Sequence, residues 1–219
     1  FIGILKLYKR KIDIVFTFQT SPVSVGIPSS IINSVKKSSQ IIWILDLWPE
    51  TLSAIGIIRK KWQLDIIRKL VSIIYSNCEI ILVQSKSFIK KIKNFNKSKI
   101  IYFPAWPESD FIKSSKRPAK EIIKKKDIFT ILFAGNIGEA QDFPSIIKAA
   151  ERLVAKKFYK FRIITVGDGS KKDWLIKEVK RKKLDNYFEI LNQYPLDRMP
   201  SFFAHADSLL VSLKNEEAF

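Results

Sequence analysis

Residues 128–153 read IFTILFAGNIGEAQDFPSIIKAAERL. The run Ile128–Ala134 is β-branched and aromatic, as a buried strand requires, and after Pro144 the residues Ile146, Ile147, Ala150 and Leu153 recur at helical spacing. Between them lies a loop holding Gly135 and Gly138. Glycines at such a place let backbone N–H groups approach a ligand closely, and the following helix N-terminus favours negative charge. The physical reading is a seat for a phosphate or diphosphate at the carboxyl end of a parallel strand, with plain turn chemistry as its alternative. Neither G-x-G-x-x-G nor G-x-x-x-x-G-K-[ST] occurs, which argues against a dinucleotide fingerprint and a P-loop.

Working outward, the same rhythm recurs on both sides. Towards the N-terminus come a strand at Asp13–Phe18, a helix opened by Ser21-Pro22, and the apolar run Ile41–Leu45 ending at Asp46, followed by Trp48, Pro49 and Glu50. A carboxylate at the edge of a parallel strand sits where ligands meet an open sheet, or else it caps the next turn. WQLDIIRKLVSIIY (62–75) places Leu64, Ile67, Leu70 or Val71, and Ile74 on one helical stripe, read as core with interfacial membrane contact as the alternative. EIILVQS, SFIKKIKNF and KIIYFPAW then give a strand, a basic helix and a strand. KSSKRPAKEIIKKK (113–126) is cationic without a sustained apolar face and reads as a solvated linker. Beyond the glycine loop, FRIITV runs into Gly167-Asp168-Gly169 and a helix, NYFEIL into Gln193, Tyr194 and a helix, and SLLVSL forms a last strand. Alternation of this kind specifies an α/β protein with parallel sheets.

The 219 residues are 47% hydrophobic, enough for a packed core, and carry a formal charge of +18. That charge suits nucleic acid, an anionic membrane surface or phosphorylated substrates, or simply lysines spread over every solvated face. No run of about 18 apolar residues suggests a membrane span. A single Cys78 and a single His205 exclude an intrachain disulfide and a Cys/His zinc site, and both read as structural residues.

FAGNIGEAQDF resembles the donor-site loop that opens the C-terminal domain of retaining, family-four type glycosyltransferases, nearest the branch that builds O-antigen, capsule and colanic acid and includes N-acetyl-L-fucosamine transferases. DLWPE and the Ser-Pro element after a strand are similar to the same branch. The resemblance implies two Rossmann-like doubly wound domains facing across a cleft: residues 1–112 on the acceptor side, a linker at 113–126, and residues 127–219 holding the donor. Both domains read as incomplete and the chain as an internal piece. It implies donor contacts from Gly135, Asn136, Ile137, Gly138, Gln141, Gly167, Asp168, Gly169, Gln193 and Tyr194, and catalytic carboxylates at Asp46 and Glu217, the latter in an E-x-F context with Phe219. Leu45 stands where many relatives have a histidine, and Asn136 and Gln141 where many have Arg and Lys.

The activity so implied is metal-independent transfer from a nucleotide-sugar, expected to be UDP-linked, to a lipid-linked or cell-surface polysaccharide precursor. No D-x-D pair of the metal-using kind is present. No cofactor and no nucleic acid is expected, and the place is cytoplasmic, peripheral at the inner membrane face. Two alternatives stay open: a basic nucleic-acid binder without catalysis, and a truncated, inactive transferase. Sugar, base and acceptor are not fixed by these residues.

Overall fold

The computed structural model describes residues 7, 9–93, 99–106 and 117–216. They form two compact units, one comprising residues up to Trp106 and the other running from there to Asn215. Each is an α/β unit on a four-stranded parallel sheet, the class that the alternation specifies.

In the first unit the strands β1 (Ile14–Gln19), β2 (Ser39–Ile44), β3 (Ile80–Val83) and β4 (Lys99–Tyr102) lie side by side in chain order. The helices α1 (Gly26–Lys36), α2 (Glu50–Ala54), α3 (Lys61–Ser76) and α4 (Lys86–Ile92) connect them. Right-handed crossovers that always step the same way put the connecting helices on one face of the sheet. The core lies there: Ile42, Ile44, Ile81 and Val83 meet Val71, Ile74 and Tyr75 of α3 and Phe88 and Ile92 of α4. The stripe expected on 62–75 is the buried one, with Ile67 and Leu70 packed against this core. Cys78 is part of it, and burial pushes its thiol up to about 12, so it is an inert core residue. The opposite face of β1 shows Ile14, Phe16 and Phe18 to solvent, each more than half exposed. There Phe18, Trp43 and Phe103 stack edge to face at 5.2 and 5.1 Å.

In the second unit, β5 (Phe129–Ala134), β6 (Phe161–Val166), β7 (Phe188–Leu191) and β8 (Ser208–Leu209) take the order β7-β6-β5-β8, so the direction of winding reverses between β5 and β8. Helices α5 (Phe143–Ala155) and α6 (Lys172–Arg181) cover one face through Ile146, Ile147, Ala150, Leu175 and Val179. Phe202 and Met199 of α7 (Met199–Phe203) cover the other, together with Ala119 and Ile122. SLLVSL pairs only through Ser208–Leu209, because after Leu210 bonds Leu132 the chain turns to bond the loop beyond β5 through Ser212 and Lys214.

All six residues of β6 are buried, Arg162 included. Its Nε donates to Thr130 Oγ1 at 2.9 Å, its Nη1 donates to the Ile123 carbonyl at 2.8 Å, and Glu189 Oε2 lies 3.6 Å away. A buried charge is tolerable only when so paired. Arg162 thereby ties the described part of the supposed solvated linker to the sheet. Within residues 117–126 the lysines stay exposed, but Ala119 and Ile122 are almost fully buried, the Ala119 amide donates to the Ser201 carbonyl, and its carbonyl accepts from His205 Nε2 at 2.7 Å. Two apolar residues three apart among lysines are too few to announce a buried face.

Arg162→Met keeps most of the volume and removes every donor, so the Ile123 carbonyl loses its arginine partner, Glu189 its counter-charge, and the Thr130 hydroxyl is left only its bond to the Ile128 carbonyl. It should lower stability by about 2–3 kcal/mol in urea denaturation. A change below about 0.5 kcal/mol would show that solvent replaces these bonds.

Candidate functional site

The carboxyl ends of β5 and β6 run into loops that bind each other. Gly135 N–H donates to the Val166 carbonyl at 3.0 Å, Ile137 N–H to the Asp168 carbonyl at 2.8 Å, and Lys171 N–H to the Ile137 carbonyl at 2.9 Å. Gly167 sits so close that a Cβ there would stand 1.9 Å from the Gly135 carbonyl oxygen. One on Gly169 would stand 2.5 Å from the Ile137 oxygen. These two glycines let loop pack on loop, a role that the sequence alone does not distinguish from close approach to a ligand. Gly138 serves differently: its N–H donates to Gln141 Oε1 at 3.2 Å, closing the turn Glu139–Gln141 that leads to α5.

The two loops and the one after β7 surround a cleft of about 450 Å³. Six of the ten expected donor contacts line it: Gly135, Asn136, Gly167, Asp168, Gln193 and Tyr194. Leu196, Met199 and Phe203 supply an apolar wall. Ile137 does not face the cleft; its side chain is fully buried in the core, and its N–H and carbonyl are both taken by the loop after β6. Gly138, Gln141 and Gly169 are likewise outside the lining and shape the loops behind it. Glu217 lies outside the described residues.

Asp46 belongs to the first unit and is held there by its own network. Ser21 Oγ donates to Asp46 Oδ2 at 2.6 Å and itself accepts from Trp48 Nε1 at 3.2 Å. The Asp46 carbonyl accepts from Gln19 Nε2 at 2.9 Å, and Gln19 Oε1 accepts from Tyr75 Oη at 3.3 Å. Gln19 and Tyr75 are fully buried, and burial raises the Tyr75 hydroxyl above the ordinary phenol range, so it stays a donor. The carboxylate thus reaches across to the Ser-Pro turn after β1 rather than capping its own turn.

Outside the cleft's lining, several charged side chains of the second unit have partners. Glu139 accepts from Lys171 on one oxygen and from Lys214 Nζ on the other at 3.0 Å, and Lys172 Nζ donates to Asn192 Oδ1 at 2.8 Å. Hydrogen bonds from Lys171 and then Lys214 hold the Glu139 carboxyl below the usual glutamate range. Arg198 donates to Glu121 and lies 5.5 Å from the ring centres of both Tyr194 and Phe202, so the packed basic segment buttresses the Tyr194 wall. None of Glu139, Lys171, Lys214 and Arg198 was marked out in sequence. The one available signal was the spacing of Leu196, Met199 and Phe203, which is that of a helical stripe. Among the described residues no group of three or more His, Cys, Asp or Glu is placed to hold a metal ion, and no helix is long and apolar enough to cross a membrane.

Residues 114–219 match the family model Glycosyl transferases group 1. No curated protein matches the chain. Among solved structures the chain is similar to sucrose-phosphate synthase from Thermosynechococcus elongatus, with a TM-score of 0.76, 12% identity, 98% of this chain covered and 53% of that one. It is also similar to the Anabaena protein HepE in complex with UDP-glucose (TM-score 0.66, 12% identity, 100% and 57% covered). A third is the pneumococcal O-GlcNAc transferase GtfA in complex with UDP and GlcNAc (TM-score 0.66, 10% identity, 99% and 40% covered). At such identity these likenesses establish the fold, and the chain spans roughly half the length of these structures or less.

Gly167→Ala should cost far more than Gly135→Ala in thermal denaturation, since a Cβ on Gly135 meets nothing closer than 3.7 Å while one on Gly167 strikes backbone. Both carry positive φ, so equal losses would assign the effect to conformation and not to the loop contact. The pH dependence follows from Glu139. Its pKa is lowered on folding, so the stability it contributes is present above the ordinary glutamate value of about 4.3 and lost as pH falls through the lower folded one. Glu139→Gln should flatten that acid limb by about 0.2–1 kcal/mol, the modest size reflecting a pair more than one-third exposed.

Proposed function

We propose that this chain belongs to a retaining glycosyltransferase of the O-antigen, capsule and colanic acid branch, its second unit on the donor side and its first on the acceptor side. It moves a sugar from a UDP-sugar to a lipid-linked or cell-surface polysaccharide precursor. The observation that carries the reading is the convergence of Gly135, Asn136, Gly167, Asp168, Gln193 and Tyr194 on one cleft at the strand ends of a Glycosyl transferases group 1 domain. Parallel sheets offer ligands that edge.

Glycosyl transfer passes through an oxocarbenium-like sugar as the nucleoside diphosphate departs. The leaving group needs donors already aimed at it, since donors that do not have to reorient stabilise the developing charge most. In this reading the Asn136 side chain receives the diphosphate without a metal, since the amides of Gly135, Ile137 and Gly138 are already bonded within the loops, and Lys171 and Lys214 exchange Glu139 for phosphate oxygens. Tyr194 and the apolar wall of Leu196, Met199 and Phe203 take the base, and Asp168 lies by the sugar. Asp46 is the first unit's candidate for the acceptor side, and Glu217 keeps the donor-sugar role that its E-x-F context implies.

Titration calorimetry with UDP and GDP in the presence of a chelator tests the donor site. Saturable binding of UDP is expected, with at least a tenfold loss in Asn136→Asp, which sets a carboxylate of the same size against the diphosphate; tenfold is about 1.4 kcal/mol. Equal affinity of the variant and the parent would overturn the assignment of the loop.

A further inference from the structure

The second unit holds another cavity, of about 480 Å³, at the opposite end of its sheet. It lies where β5, β6 and β8 begin, whereas the candidate donor cleft opens where β5 and β6 end, and the two share no lining residue. Lys124, Lys125 and Lys126 reach it from the segment before β5, and Lys160 from the residue before β6. Arg162, almost without solvent access, forms part of its wall. Five cations therefore meet two carboxylates there, Asp127 and Asp207. Asp207 is already engaged, its Oδ2 accepting from the Thr130 N–H at 2.7 Å. Among the described residues none of the four lysines forms an ion pair, whereas Lys171, Lys182 and Lys214 of the same unit each do.

We infer that this cavity binds a small ligand carrying a diphosphate or several phosphates. Unpaired like charges gathered around a concavity repel one another, and the field they focus there draws anions in. The backbone that carries them is tied together beforehand. Phe129 N–H donates to the Lys160 carbonyl at 3.0 Å and Asp207 N–H to the Thr130 carbonyl at 2.9 Å, while His205, also in the lining, is held by the Ala119 carbonyl. A ligand therefore meets strand ends that need not be ordered on binding, which lowers its cost. The cations are spread over the starts of two strands, so linked phosphates reach more of them than one phosphate does. The volume is that of a small-molecule site, roughly 300–1,000 Å³. Nucleic acid calls instead for an extended groove with stacking rings, and Phe129 is the single aromatic side chain in this lining. The inference goes beyond the donor site and does not depend on it.

His205 is the chain's single histidine, so its imidazole signals in a proton–carbon correlation spectrum report on this cavity directly. Titrated with inorganic pyrophosphate at constant ionic strength, the full chain should show a saturable shift of those signals, with at least tenfold weaker binding of orthophosphate. A variant combining Lys124→Gln, Lys126→Gln and Lys160→Gln, all exposed positions, should bind pyrophosphate at least tenfold more weakly. The variant combining Lys124→Arg, Lys126→Arg and Lys160→Arg should bind as the parent does. No saturable shift in the parent, or equal affinity of the glutamine variant, would overturn the inference. So would a single-stranded oligonucleotide that displaces pyrophosphate and binds at least tenfold tighter, because the surface would then belong to nucleic acid. Asn136→Asp separates this site from the donor cleft. The His205 response should persist in that variant, and its loss would place the pyrophosphate in the cleft and overturn the inference. A parent that gives the His205 response but binds no UDP counts against the donor reading alone.

Discussion

The contact between Gly167 and the Gly135 carbonyl is the constraint from which the second unit's cleft is built. A Cβ at Gly167 would have to stand 1.9 Å from that oxygen, so the ends of β5 and β6 can close on each other only with hydrogen at this position. Once they close, Ile137 drops into the core between sheet and helices, its amide engages Asp168, and its carbonyl receives Lys171. Asn136 and Asp168 are then left facing the cleft on opposite sides of the seam. The glycines set the floor of the site, and polar side chains beside them give it chemistry.

The first unit solves a different problem. Asp46 stands on a loop, yet its backbone is anchored through Gln19 to Tyr75, both without solvent access, and its carboxylate is oriented by Ser21 and Trp48. Two fully buried polar side chains at the end of a sheet are costly unless they bond each other and the backbone. Here they convert the position of a core helix into the position of a surface carboxylate. Gln19 and Tyr75 are therefore positioning residues for the Asp46 backbone.

Much of this was legible in the sequence because it rests on periodicity. The strands, the buried stripe of α3, the helix after Pro144 and the glycine loops follow from patterns of two and of 3.6 residues. What was not legible depends on where a charged or isolated side chain ends up in three dimensions. Arg162 is one cation among 39 Lys and Arg, and nothing local says that it is buried. Ala119 and Ile122 lie in a run that composition assigns to solvent, and the salt bridges of Glu139 join residues 32 and 75 positions away.

The exposed row of Ile14, Phe16 and Phe18 on β1 has a colloidal consequence. Parallel sheets are ordinarily covered on both faces, and a bare aromatic face invites molecules to adhere to one another. A net charge of +18 opposes this by mutual repulsion, which acts over a Debye length of only about 8 Å at physiological ionic strength. Dispersal of this chain is therefore a balance between adhesive apolar side chains and screened charge. Added salt removes only one side of that balance, so the chain keeps to solution best where the electrolyte is dilute.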